Sequence, residues 1–205
     1  IAPCYSDKYA RVGIQVKDIE FFKPYIWDEI LYGNILCEGA QGFWLDINMG
    51  NYPFVTSSNT LPYSACSLGF PPQKIRNIYG AVKVYDTRVG VDPFFDDEKI
   101  SDNDLEVFDK IAEVGNEFGT TTGRSRKVRW LNLDKLVKAI NISGTNILVL
   151  SKMDVLEKVG VFGLKHESTN TVLKYTNSSH MRKIINDVLL SHCSLLKEII
   201  YSENP

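Results

Sequence analysis

Several features that would direct the reading of a chain are missing from this one. Its four cysteines, Cys4, Cys37, Cys66 and Cys193, show no CxxC or Cys/His ligand spacing, which argues against structural zinc and against a disulfide framework. Two of them stand in apolar surroundings and read as buried thiols, and a reducing, cytoplasmic location fits them best. There is no basic excess: the net charge is −2, so broad nucleic-acid binding is not expected. No apolar run has the length of a membrane span and no signal-peptide pattern is visible, so the reading is a soluble chain with no membrane partner. His180 and His192 lack carboxylate or cysteine partners at ligand spacing, and no residue set reads as a metal site. Repeats, low-complexity tracts and linkers are absent as well. What remains is an ordinary globular composition, 44% hydrophobic and 23% charged over 205 residues, enough for a single domain, 1–205, with a sizeable core.

Chemistry concentrates in three stretches. In Glu38–Thr60, EGAQGFWLDINMGNYPFVTSSNT, an apolar run Ile35-Leu36-Cys37 reads as a buried strand leading into a Gly39–Gly42 loop. Small residues there let backbone N–H groups approach a ligand, with the Gln41 amide between them. The hydroxyl run that follows suits an anionic, polar ligand, although a solvated turn has the same composition. In Glu117–Trp130, EFGTTTGRSRKVRW, two glycines bracket three threonines ahead of Arg124, Arg126, Lys127 and Arg129. Four cations in six positions need an anion nearby to limit their repulsion, and such a loop can close over carboxylates and phosphates. In the third stretch, a buried strand at 146–150 leads into Ser151-Lys152-Met153-Asp154. A helix N-terminus would account for Asp154 equally well.

These stretches resemble the adenylosuccinate synthetase family: EGAQG with LDI and YPFVTSSNT, then the FGxTTGRxRR element, a TRVG strand end and a KxD turn. The opening IAPCYSDKYAR resembles the family's GPxYxDKxAR element. The resemblance covers most of residues 1–154. It implies a mixed α/β, P-loop-NTPase-like fold with a large central sheet flanked by helices. It also implies a homodimer and a carbon–nitrogen ligase of purine biosynthesis that condenses IMP with L-aspartate, using GTP and Mg²⁺. By the same resemblance Gln41 and Arg124 are catalytic, and Arg11, Gln41, Thr56 and Val89 bind the substrate nucleotide, with Arg11 reaching across the dimer. Thr121, Thr122 and Arg124 hold aspartate, Arg126 reaches the triphosphate, and Lys152 and Asp154 recognise its base. Val89 could equally be an ordinary core valine.

Departures from the family accompany the match. The sequence starts at Ile1 and contains no GDEGKGK-type phosphate loop, so it reads as the later part of a larger enzyme, inactive by itself. The Arg11–Gln41 spacing is short, Leu61-Pro62-Tyr63 replaces the usual loop, and Asp86 stands where threonine is usual. Ser202 and Pro205 end the chain where a base-contacting loop would begin. These features also suit shortened phage relatives (in the host cytoplasm) that join aspartate to dGMP and can use ATP. A non-catalytic nucleotide-binding fragment is a third reading.

The patterning predicts local structure throughout. A Pro-containing loop opens the chain, and a helix over 24–31 buries Phe, Tyr and Trp side chains. Residues 76–88 read as one central strand. A helix follows from Ser101, its cap, to Gly115, its stop. Further helices are expected over 133–140 and 179–201, with strands over 159–164 and 171–175.

Overall fold

The computed structural model describes residues 2–27, 29–92, 100–119, 123–166, 169 and 171–202. The chain packs as two compact units, Ile1–Pro72 and Gln73–Pro205.

Unit 1 has little regular structure. The opening segment is a helix, α1 (Ala2–Ala10), where a loop was expected; Pro3 lies in its first turn, where no N–H is needed for the helix ladder. Short 3₁₀ segments follow, among them Glu20–Tyr25, Phe43–Leu45 and Pro62–Leu68. The helix expected over 24–31 is not formed among the described residues: the Glu20–Tyr25 segment contains Pro24 and ends at Tyr25. The aromatics meant for its buried face are exposed, Tyr25 at 78% and Trp27 at 66%. Nor do Ile35–Cys37 form a buried strand, since Leu36 is 85% exposed and they have no ladder partner among the described residues. The cause is common to both. Short helices and lone strands are marginal until a face is buried or an edge is paired, and in this unit Leu61 is the only buried apolar side chain among the described residues.

Among its described residues unit 2 holds seven strands: β1 (Tyr79–Lys83), β2 (Tyr85–Arg88), β3 (Lys127–Asn132), β4 (Ile147–Ser151), β5 (Phe162–His166), β6 (Thr171–Tyr175) and β7 (Glu198–Tyr201). The mixed α/β architecture with flanking helices is the expected one, but the strands are shared between two sheets. One is parallel throughout, in the order β1-β4-β7; the other is mixed, in the order β2-β3-β5-β6. The expected single strand over 76–88 is therefore two, divided at Val84, which is fully buried. Val84 still donates its N–H to Ser151 O at 3.0 Å, while Tyr85 already pairs with Trp130 in the other sheet.

The helices follow their caps. The Ser101 hydroxyl accepts from Asp104 N at the start of α2 (Asp102–Val114). At its end, a Cβ on Gly115 would stand 2.6 Å from Tyr85 Oη and 2.8 Å from Ile111 O, so the stop is set by space. The Asn132 side chain caps α3 (Leu133–Ser143) and Asn177 caps α5 (Ser178–His192); α4 (Met153–Val159) lies between them. The helix expected to reach Tyr201 stops at His192. Its apolar continuation becomes β7 because the free edge of β4 gives those residues a ladder, Leu148 opposite Ile199. The core includes Ile111, Leu148, Leu150, Leu164, Met181 and Ile185. Of the cysteines, Cys193 is buried, Cys66 half-buried, and Cys4 and Cys37 exposed, one buried thiol where two were expected. No helix among the described residues is long and apolar enough to cross a membrane.

Candidate active site

In unit 1 a single carboxylate shapes the Glu38–Thr60 stretch. Asp46 is fully buried. Its Oδ1 accepts from Asn48 N at 2.8 Å and Met49 N at 3.0 Å, and its Oδ2 from Thr60 N at 2.6 Å. Burial works to raise this carboxyl, but those N–H groups outweigh it and hold it below the usual carboxylate range. The chain reverses tightly enough around it that a Cβ on Gly50 would lie 2.5 Å from the carbonyl oxygens of Asp46 and Trp44. As a result the glycine loop and the hydroxyl run are brought side by side. Thr60 Oγ1 donates to Gly42 O at 2.9 Å, and Thr56 N to Leu45 O at 2.8 Å. Gln41 is exposed at this loop and Thr56 half-buried; Arg11, just past α1, is exposed.

In unit 2 the site residues gather where parallel strands end, the edge at which open α/β sheets bind ligands. Lys83 closes β1, Lys152 follows β4, and Ser202 follows β7 with its N–H on Leu150 O at 2.7 Å. Between them lies Glu117, 2% exposed. Lys83 Nζ reaches its Oε2 at 2.5 Å, Tyr85 Oη its Oε1 at 2.7 Å, and Arg126 Nη1 its Oε2 at 3.3 Å. Burial would raise the Glu117 carboxyl, yet the bonds from Lys83 and Tyr85 leave it lowered. Burial and the neighbouring carboxylate drive the Tyr85 phenol well upward. The Lys83 ammonium is lowered, chiefly by burial and against the pull of Glu117.

The basic loop is fastened at its feet: Arg126 N donates to Glu117 O at 2.9 Å and Gly119 N to Arg124 O at 2.8 Å. Arg124 is exposed and Arg126 half-buried. Thr121 and Thr122 lie outside the described residues. Val89 is 36% exposed at the end of the TRVG segment, which removes its reading as an ordinary core valine. Lys152 Nζ donates to Gly115 O at 3.3 Å. Asp154 lies in the first turn of α4, 3.2 Å from Lys158 Nζ, and lines an open depression of about 250 Å³ with Met153, Glu157 and Arg182.

Left-handed backbone occurs at some of these places. Among the described residues, four other than glycine have a left-handed φ: Arg11, Gln41, Asn116 and Lys152. Such conformations cost on the order of 1–3 kcal/mol each and cluster at functional sites. Three are residues singled out from the sequence, and the fourth adjoins Glu117. Sequence reasoning gave no role to Lys83, Tyr85, Glu117 or Asp46. The available signal was a lysine set between Val82 and Val84 in an apolar run, and a glutamate at the head of a basic loop.

A family model for adenylosuccinate synthetase matches residues 22–179. This chain belongs to the adenylosuccinate synthetase family. Curated synthetases from Flavobacterium johnsoniae and Phocaeicola vulgatus are 48% and 46% identical over 128 and 129 residues, covering 60% of this chain and 28% of each relative. The fully ligated adenylosuccinate synthetase of Plasmodium falciparum superposes with a TM-score of 0.65 at 27% identity, over 82% of this chain and 47% of that one. A cyanophage S-2L succinoaminodeoxyadenylate synthetase bound to dGMP and dATP is more distant, with 18% identity over 75% of this chain and 49% of that one, and a TM-score of 0.43. The chain thus spans less than half the length of the synthetases it matches.

Proposed function

We propose that this chain is part of a cytoplasmic adenylosuccinate synthetase, a ligase that condenses IMP with L-aspartate using GTP. The γ-phosphoryl group of GTP moves to the 6-oxygen of IMP. The aspartate amine then attacks C6, forming the C–N bond as the C6–O bond breaks and phosphate leaves. Phosphoryl transfer needs fixed positive charge more than covalent assistance. The observation that carries the reading is that Arg126 and Lys152 are both tied to one short segment, through Glu117 and through Gly115, at the strand ends of unit 2.

In this reading Arg126 meets the triphosphate, and Asp154 accepts from the N1–H and 2-amino groups of guanine beside the Lys152 stem. Gln41 bonds the 6-oxygen, Thr56 the IMP phosphate, and Val89 packs on the sugar. Thr121, Thr122 and Arg124 hold the aspartate carboxylates, and Arg11 serves the neighbouring subunit of a homodimer. Mg²⁺ is expected with the triphosphate. Among the described residues no group of three or more His, Cys, Asp or Glu side chains could hold a metal ion.

The test uses the full translated chain with Mg²⁺, L-aspartate, GTP or ATP, and IMP or dGMP, with products weighed by mass spectrometry. Succinylated IMP is expected. Succinylated dGMP would replace this reading with the dGMP-specific one, and no product from any pairing would leave a nucleotide-binding fragment. Arg124→Ala should lower kcat/KM for aspartate by about 100-fold, the factor that roughly 3 kcal/mol of charged hydrogen bonding represents. Unchanged aspartate kinetics would remove Arg124 from the site.

A further inference from the structure

Glu117 has more partners than a structural ion pair requires. Its carboxylate is 2% exposed and takes Lys83, Tyr85 and Arg126 at once, from the end of β1, the start of β2 and the flank of β3. Its carbonyl also accepts from the Arg126 backbone N at 2.9 Å, so that arginine is held by main chain and side chain to one residue. Two residues earlier, the Gly115 carbonyl takes Lys152 Nζ at 3.3 Å. Two cations therefore converge on one carboxylate, and a third is held two residues away on the Gly115 carbonyl. Arg126 and Lys152 stand close enough to add to the depression of the Lys83 ammonium that burial begins. Excess positive charge at a half-buried place is unfavourable unless an anion completes it. A guanidinium carries five N–H donors in a fixed fork, so the bond to Glu117 leaves Arg126 others to offer.

Resting on the ligase reading above, we propose that Glu117 is a positioning residue. It holds Lys83 and Arg126 together at the strand ends so that their remaining N–H groups meet the oxyanions of the nucleoside triphosphate. Without the carboxylate the two cations repel each other and the fork loses its orientation. Lys83 becomes, on this account, a second phosphate-binding cation beside Arg126.

Steady-state kinetics on the full translated chain test this, with Glu117→Gln, Glu117→Asp, Arg126→Ala and the double variant Glu117→Gln/Arg126→Ala. Glu117→Gln should raise KM for the triphosphate about ten-fold, a factor equivalent to about 1.4 kcal/mol, and Glu117→Asp should recover part of it. KM for IMP should stay within about two-fold, and on the Arg126→Ala background Glu117→Gln should add less than about two-fold, as expected of residues acting through one another. A fall in kcat with every KM unchanged would make Glu117 merely structural and overturn the proposal, as would full additivity in the double variant. If Glu117→Gln does not fold, Lys83→Met takes its place: a raised triphosphate KM with unchanged IMP KM supports the proposal, and an unchanged one overturns it. Calorimetry with tripolyphosphate separates this proposal from the ligase reading, because it needs no turnover. Tighter binding by wild type than by Glu117→Gln, or than by Lys83→Met in its place, supports the anion site even in an inactive chain. Equal binding, or no binding by wild type, overturns it.

Discussion

The two units solve the same problem by different means. Unit 2 is held by apolar packing: twenty-two buried hydrophobic side chains form one cluster there. Among its described residues unit 1 buries one, Leu61, and its most buried polar residue is a carboxylate surrounded by backbone N–H groups. A hydrophobic core fixes many elements at once, because each buried side chain touches several others. A buried Asp fixes only the loop whose N–H groups it accepts. The same apolar residue types therefore produce strands and packed helices in one unit, and an exposed helix with 3₁₀ segments in the other.

The sharpest way to break this comparison is to delete volume in each unit. Leu150→Ala, at a fully buried site, should cost about 2–5 kcal/mol. Trp27→Ala, 66% exposed, should stay within about 0.5 kcal/mol. Urea denaturation reads both, and similar shifts in the midpoint would mean that Trp27 is packed after all.

A smaller effect is expected at Asp46. Asn in its place can still accept from the Asn48 and Met49 amides, but its NH₂ group would face the Thr60 N–H. The cost should be about 1–3 kcal/mol, seen as faster hydrogen exchange at amides 48, 49 and 60. Unaltered exchange there would remove Asp46 as the organiser of the loop. Because its folded pKa is lowered, the stability it gives is present above the unfolded value and is lost as pH falls through the folded one.

The smallest change sharpens the contrast, since its sign is opposite. Asp86, half-buried on β2, is pushed up to about 6 by burial, against the bond from Asn132 N and the nearby Lys135 and Lys165. Its folded pKa lies above the unfolded one, so stability falls as pH rises from about 4 to about 6, and the charge is a net cost at pH 7. Asp86→Asn keeps an acceptor for Asn132 N and should raise stability at pH 7 by about 1–2 kcal/mol. The gain should vanish below about pH 4 in thermal melts. A loss of stability at pH 7 would mean that the Asp86 charge is compensated.

The sequence could be read where a local signal and a core agreed. The Ser101 cap with Asp104, the Gly115 stop, the strand at 147–151 and the strand at 171–175 each carry their own chemistry and face a partner. Residues 24–31 and 35–37 carry a burial pattern that nothing in their unit satisfies. The run from Leu195 to Tyr201 was ambiguous in itself, because a short apolar stretch fits helix and strand alike; the edge of β4 decided it. The family motifs were legible as wording, through the glycine loop, the basic loop and the KxD turn. The Glu117 hub was not, because Lys83 and Glu117 meet across 34 positions of chain and ion pairs at that range leave no periodic trace.

A single buried residue, Val84, separates Lys83, the last of one sheet, from Tyr85, the first of the other, and both side chains end on Glu117. Successive side chains in extended backbone point to opposite faces, so this corner depends on counting. A conservative exchange such as Val84→Ile leaves the count intact. An inserted or deleted residue reverses which side of the corner Tyr85 faces, and every later position of β2 with it. Chain length is thus the tighter constraint here and side-chain identity the looser one, which makes these three positions a reading frame for the join between the sheets.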